Sequence, residues 1–335
     1  MDRQYVGIDF HRRRSVIVRK SGAGDKLGSV RVSSDPLAIA SAVAEAGPNP
    51  EVVIEATYGW YWIVDWLQVQ GATVHLANPS GLNWGARRVK NDERDASDLV
   101  DMLRLGRLPE AWIAPPATRE LRELVRYRAK LVALRSGLKA QVHAVLAKEG
   151  VLPSVRDMFG GSGNAQLNAL ELGDAYTTRV ESLRDLIERY DREVGMLERT
   201  IYQRVRDDRG YRAIQRIHGI GPTMAAILVA EIGDVSRFRS AEALCSWAGL
   251  TPKHRESDTK VHRGAVTKQG SRLVRWAVIE GTVRYHGGGK LAADWHRIAE
   301  RRGKHKATVA VARKVLTLVY YGLRDGEIRC LAKAS

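Results

Sequence analysis

Two short apolar runs near the start of the chain each end in a carboxylate: Val6-Gly7-Ile8-Asp9 and Val52-Val53-Ile54-Glu55. Such runs form strands buried in a sheet, and an acid there is expensive to bury unless it is paired or bound to a cation. The residues around them predict strands over Tyr5–Asp9, Ser15–Lys20 and Lys26–Ser33, with a tight turn at Ser21-Gly22-Ala23-Gly24. A helix over Pro36–Ala46, a strand over Val52–Ala56, a helix over Gly59–Gln70 and a strand over Thr73–Ala77 follow. Trp60, Trp62 and Trp66 lie on that second helix and are expected mostly in the core. Three hairpin strands followed by alternating helices and strands give a mixed α/β sheet.

Helical pieces follow Pro79, the last running from Asp95 to Leu105. At its start, Lys90-Asn91-Asp92-Glu93-Arg94-Asp95 brings two more acids. Alone, Asp92 or Asp95 reads as a helix cap or surface acid. With Asp9 and Glu55 they can converge on one point, where Mg²⁺ (or Mn²⁺) would find the oxygen ligands it prefers. Asp98 is a further acid nearby.

Beyond Pro115-Pro116 the pattern changes. Thr118–Glu149 and Thr177–Val205 are long, charged and helically periodic, as an antiparallel helical hairpin or coiled coil would be, with a flexible tip at 159–163. From Tyr211 to about Arg324 the chain reads as helical with short turns. The expected domains are 1–110, 111–210 and 211–335.

Two features of the last region bear on chemistry. Ile217-His218-Gly219-Ile220-Gly221-Pro222 runs into an apolar helix, and a Gly-x-Gly turn there can present Gly219 and Gly221 amides to a phosphate in helix-hairpin-helix fashion. The glycines serve a tight helix–helix turn equally well. Next, Trp247-Ala248-Gly249-Leu250-Thr251-Pro252 opens a polar, basic stretch holding Ser257 among Lys253, His254, Arg255, Lys260, His262 and Arg263, then Lys268 and Arg272. A serine hydroxyl attacks phosphate only if its proton is removed, and cations stabilise the charge that builds. On those grounds alone an exposed loop serine is ordinarily inert. Thr259, Thr267 and Ser271 are rival hydroxyls.

Charge narrows the partners. Lys plus Arg number 54 against 38 Asp plus Glu, a net charge of +16, and a polyanion offsets the self-repulsion of such an excess. Arg275, Arg284 and the 301–306 run are candidates to track phosphates, whereas His286, His296 and His305 lack metal-ligand spacing. The two cysteines, Cys245 and Cys330, exclude a disulfide scaffold or thiolate zinc site and suit a reducing cytoplasm. Met1–Phe10 does not read as a signal peptide, and Ala307–Leu323 is interrupted by Arg313 and Lys314, so a soluble protein with no membrane segment is expected.

The order Gly7-Ile8-Asp9, Ile54-Glu55-Ala56-Thr57, Lys90-Asn91-Asp92-x-x-Asp95-Ala96 resembles the DEDD transposases of the IS-one-ten family, relatives of the Piv/MooV DNA invertases. Gly249-Leu250-Thr251-Pro252, Glu256-Ser257, Arg263-Gly264 and Lys268-x-Gly270 resemble the same family's transposase domain. The resemblance implies an RNase H/RuvC-like N-terminal domain whose Asp9, Glu55, Asp92 and Asp95 bind divalent metal. It further implies that Ser257 is a nucleophile forming a covalent link to DNA. Donor and target DNA, an element-encoded bridge RNA and a homo-oligomer (dimer or tetramer) are the implied partners, in a bacterial cytoplasm close to the nucleoid. Phe10-His11-Arg12-Arg13 departs from the small residues and lysine that the family often shows there. A RuvC-like, Mg²⁺-dependent structure-selective endonuclease without a covalent intermediate is the first alternative. A non-catalytic nucleic-acid scaffold is the second.

Overall fold

Val6, Ile8 and Phe10 alternate with Gly7 and Asp9 along the first strand, so its two faces carry different chemistry. The computed structural model describes residues 3–82, 91–257, 260–283 and 289–331, and the chain forms two units, Met1–Ala114 and Pro115–Ser335.

The first unit holds β1 (Tyr5–Phe10), β2 (Arg14–Lys20), β3 (Lys26–Ser33), α1 (Pro36–Ala44), β4 (Glu51–Glu55), α2 (Trp60–Val69), β5 (Thr73–Ala77), α3 (Pro79–Leu82), α4 (Asp92–Arg104) and β6 (Glu110–Ala111). They form one sheet of order β3-β2-β1-β4-β5-β6. β1–β2, β2–β3 and β5–β6 pair antiparallel, whereas β1–β4 and β4–β5 pair parallel. This is the mixed α/β sheet expected from the sequence. β6, only two residues long, is too short to show any alternation in sequence.

On one face Val6, Ile8, Phe10, Ile17, Val52, Ile54 and Leu76 pack beneath α1 and α2. From α2, Ile63, Val64 and Leu67 are fully buried, each worth roughly 1.5–3 kcal/mol of apolar burial. Trp60 and Trp66 border this core, while Trp62 meets Phe10 edge-on. The other face belongs to α4. A Cβ on Gly7 would stand 2.2 Å from the Ala96 carbonyl oxygen, so helix and strand meet at backbone distance. Lys20 is buried against Asp101 at 2.5 Å, and Lys26 pairs with Glu93, tying α4 to the first hairpin. The helix begins at Asp92, three residues before the sequence expectation, because Asn91 caps it by accepting from the Glu93 and Arg94 amides.

The second unit opens with α5 (Pro116–Lys148), α6 (Gly161–Asn168) and α7 (Asp174–Val205). α5 and α7 run antiparallel, held by Arg128–Glu198 at 2.6 Å, Arg135–Asp191 and Arg204–Glu120 at 2.9 Å. The tip differs from its expected flexibility. Met158 and Leu167 join Val142, Val145, Leu146, Val180, Leu183 and Ile187 in a small core of their own, and Gly163 packs on the Asp157–Met158 backbone. Among the tip glycines it is Gly163 that requires its missing Cβ, whereas Gly161 has open space around it.

After it come α8 (Arg209–Ile214), α9 (Pro222–Ile232), a 3₁₀ turn (Val235–Arg237), α10 (Ala241–Trp247), β7 (Pro252–Ser257), β8 (Lys260–Val266), α11 (Arg272–Val283), α12 (Lys290–Arg302) and α13 (Lys304–Asp325). A second core joins α8 to α11 and α13 with Val125, Ile201 and Val205. α9 is fastened to α5 by Arg126 on the buried Glu231 (2.7 Å) and by Arg122 on the Ala230 carbonyl (2.8 Å). β7 and β8 form a two-stranded antiparallel hairpin where the sequence suggested only helices and turns. Its described side chains join no large core, and its sequence offers no apolar alternation to read. Among the described residues no helix is long and apolar enough to cross a membrane.

The contact between Gly7 and α4 yields a prediction. Gly7→Ala should destabilise the protein by about 1–3 kcal/mol through overpacking, measured by chemical denaturation, and should weaken divalent-ion binding in the same variant. Wild-type stability in this variant would contradict the packing.

Candidate metal centre and serine hairpin

Gly7 and Asp9 share one strand face, so the face that meets α4 also carries the Asp9 carboxylate. β1 pairs with β4 through Ile8↔Ile54, and continuing that parallel register sets Glu55 beside Asp9 on the same face. Glu55 is half-buried at the strand end. Asp92 and Asp95 stand one turn apart on α4, the first exposed and the second buried, with Asp98 half-buried a turn further on.

Asp9 is 92 % withdrawn from solvent, with 8 % exposure. Burial raises its carboxyl pKa above the usual range, His11 opposes this, and the charges of Asp92 and Asp95 push it up further. The His11 imidazole lies 3.1 Å from Asp9, Nε2 to Oδ2. Among the described residues, Asp9, His11 and Asp92 each offer a ligand atom, and these atoms all lie within 4.8 Å of one another. Asp95 and Glu55 fall outside that trio, although Asp95 acts on Asp9 through its charge. A buried acid pressed by two other acids fits a divalent cation, which would relieve the repulsion and the desolvation together. His11 was not among the sequence candidates. Its signal was its position two residues after a strand-end aspartate.

In the second unit, Ser257 is the last residue of β7, exposed and paired across the hairpin with Lys260. The base of the hairpin is fixed by close backbone packing. Gly249 and Gly270 have φ of +69° and +62°, and Cβ atoms there would stand 2.3 Å from the Gln269 nitrogen and 2.0 Å from the Trp247 oxygen. Lys268 also adopts a left-handed conformation (φ 58°), with its amide donating to the Gly249 carbonyl at 3.1 Å. Arg275 reaches back to the carbonyls of Ala248 (3.1 Å), Gln269 and Gly270 (3.2 Å). His254 and Glu256 pair at 3.2 Å on β7. Lys253, Lys268 and Arg272 are exposed, whereas the side chains of Arg255 and Arg263 and all of Asp258, Thr259, Arg284 and His286 lie outside the described residues.

Thr267 and Ser271 are the rival hydroxyls among the described residues. Thr267 Oγ1 is enclosed, and Ser271 Oγ accepts from the Val274 amide, capping α11. Gly219 (φ +82°) has a structural duty, since a Cβ there would stand 2.3 Å from the Gly281 oxygen of α11. Gly221 precedes α9 with open space around its missing Cβ. His296, Arg301, Arg302, Lys304, His305 and Lys306 are exposed around the α12–α13 turn.

The raised Asp9 pKa carries a sign. A carboxyl whose folded pKa exceeds its unfolded value contributes stability that is full below the unfolded pKa and is lost as pH rises through the folded one. Metal-free protein should therefore lose stability over the range just above the ordinary carboxylate pKa. Asp9→Asn should flatten that slope and raise Tm at neutral pH in chelator, as scanning calorimetry across pH would measure. An unchanged slope would contradict the electrostatic account of the site.

Comparison with known proteins follows the same two regions. The chain matches a DEDD transposase model of the IS110 type over residues 6–149 and the model described as "Transposase IS116/IS110/IS902 family" over residues 211–286. It is 26% identical over 228 residues to a probable family 20 transposase of Pseudomonas aeruginosa, covering 66% of each chain. It is 24% identical over 293 residues to the transposase for insertion sequence element IS1111A of Coxiella burnetii, covering 83% of this chain and 79% of that one. It is 28% identical over 294 residues to the pilin gene-inverting protein of Moraxella lacunata, covering 82% and 80%. With one model spanning the carboxylate region and the other spanning the glycine turn and the serine hairpin, the chain belongs to the IS110/IS116 family of DEDD transposases.

Proposed function

We propose that this transposase recombines DNA with two chemical centres: a divalent-metal site in the N-terminal unit and a serine nucleophile, Ser257, in the C-terminal unit. The observation that carries the first is the gathering of His11 and Asp92 around the buried Asp9, whose carboxyl pKa is raised by desolvation and by neighbouring acids. Asp9 and Asp92 would hold the ion, Mg²⁺ or Mn²⁺, with Glu55 and Asp95 contributing from the same sheet face and helix. A bound ion supplies Lewis acidity to a phosphate oxygen and lowers the pKa of an attacking hydroxyl.

Support for Ser257 is the family resemblance of its segment together with its exposure at a strand end, whereas Thr267 Oγ1 is enclosed and Ser271 Oγ accepts from the Val274 amide. In the proposed step Ser257 Oγ forms a bond to phosphorus while one phosphorus–oxygen bond of the DNA strand breaks. The proton lost by the hydroxyl balances the one gained by the departing sugar oxygen. The phosphoserine link keeps the energy of the broken bond, so attack by a second DNA end rejoins strands without ATP. Lys253, Lys268 and Arg272, with Arg255 and Arg263 in sequence, would steady the phosphate charge, as would Gly219 and Gly221 through their amides.

We read the working parts as 1–110 for metal chemistry, 111–210 as a helical hairpin between them in sequence, and 211–335 for strand transfer. The substrates would be donor and target DNA, with a bridge RNA choosing both and a homo-oligomer assembling them. A net charge of +16 and the exposed cations of the α12–α13 turn support polyanionic partners.

The test uses end-labelled element DNA and purified protein with its co-purified RNA. Wild type should give a protein–DNA adduct that survives denaturation, and Ser257→Ala should give none, with recombinant product reduced to background. Asp9→Asn should abolish strand breakage as well. Cleavage by wild type without any adduct would replace this reading with a hydrolytic nuclease, and equal products from Ser257→Ala would refute the serine.

A further inference from the structure

His11 stands two residues beyond Asp9, just past the end of β1, and its Nε2 lies 3.1 Å from Asp9 Oδ2. Its side chain is 61% exposed, so a hydrated ion can reach the ring without rearrangement of the core. An exposed histidine beside an aspartate ordinarily makes an ion pair worth about 0–1 kcal/mol. Three features here go beyond such a pair. Asp9 is buried; a second carboxylate, from Asp92 at the start of α4, faces the same point; and all three ligand atoms lie within 4.8 Å. Adjacent ligands of an octahedral ion with bonds of about 2.1 Å stand about 3 Å apart. The spacing of Nε2 and Oδ2 already matches two such neighbouring positions.

Nitrogen in place of oxygen changes which ion the centre prefers. Sites built from carboxylates and water suit Mg²⁺ and Mn²⁺ alike, whereas an imidazole nitrogen is taken more readily by first-row transition ions, Mn²⁺ the least of them, than by the harder Mg²⁺. We propose that His11 is a direct nitrogen ligand of the divalent ion at Asp9 and Asp92, and that it biases the centre from Mg²⁺ toward first-row transition ions such as Mn²⁺. The inference rests on the metal-site reading above and adds to it a ligand outside the four acids. To bind, the ring would present the Nε2 lone pair to the ion, and any hydrogen shared between Nε2 and Asp9 would pass to Nδ1 or to solvent.

Mn²⁺ is the probe, bound to the full-length protein and to His11→Ala, with His11→Asn as a second variant and circular dichroism to check folding. Pulsed electron paramagnetic resonance of the wild-type complex should show ¹⁴N modulation that changes when histidine is labelled with ¹⁵N. Both variants should still bind Mn²⁺ but lose that coupling, and competition titration should show the Mn²⁺-over-Mg²⁺ preference falling at least roughly tenfold, the low end of losses seen for residues around metal sites. Wild-type Mn²⁺ without histidine coupling, or coupling retained in both variants, would overturn the role of His11 and leave the metal site standing. If wild type takes up no Mn²⁺, or if Asp9→Asn binds it equally well, the metal-site reading fails and this inference with it.

Discussion

One missing methyl group governs the first unit. Because Gly7 has no Cβ, the backbone of α4 lies directly on β1, with the Ala96 carbonyl where a side chain would otherwise stand. A helix pressed that closely brings its first-turn acids over the strand end, so Asp92 and Asp95 act electrostatically on Asp9. A larger residue at position 7 would push the helix away and dissolve the cluster. The opposite face of the same strand supplies the stability that a buried acid takes away. Val6, Ile8 and Phe10 lie in the core under α1 and α2, so one strand packs on one side and carries the Asp9 carboxylate on the other.

The serine hairpin is built on the same principle in a different setting. The described side chains of its strands are mostly exposed, but its base is locked by Gly249 and Gly270 at backbone contact and by one guanidinium, Arg275, on three carbonyls. A reactive group on an otherwise unsupported hairpin gains definition only if the root is rigid. The left-handed Lys268 belongs to that root.

Much of this was legible before any coordinates. The sheet could be read because β1, β2 and β4 each bury an apolar side, and the long helices because α5 and α7 repeat leucine and ion-pair positions over many turns. Asp9, Glu55, Asp92 and Asp95 stood out as acids at element ends. What escaped has physical reasons. The described side chains of β7 and β8 join no core, so they leave no buried face to trace, and β6 is too short to have a pattern. Glycines around position 160 look like a mobile tip, yet a small packed core surrounds Met158. Gly219 has the look of a phosphate-binding turn, yet its immediate duty is to let α11 approach at Gly281. His11 was noticed only as a departure from a family pattern, because a single histidine carries no spacing from which a partner can be inferred.

The central claim is that strand β1 and helix α4 together present a ready-made ion cradle. Crystals grown in the absence of divalent ions and then soaked in manganese, with diffraction collected near the manganese absorption edge, examine it directly. The account predicts an anomalous peak in contact with Asp9 and Asp92, reached with little movement of α4. Manganese scattered on surface acids with none beside Asp9, or α4 displaced from β1 in the crystal, would contradict it.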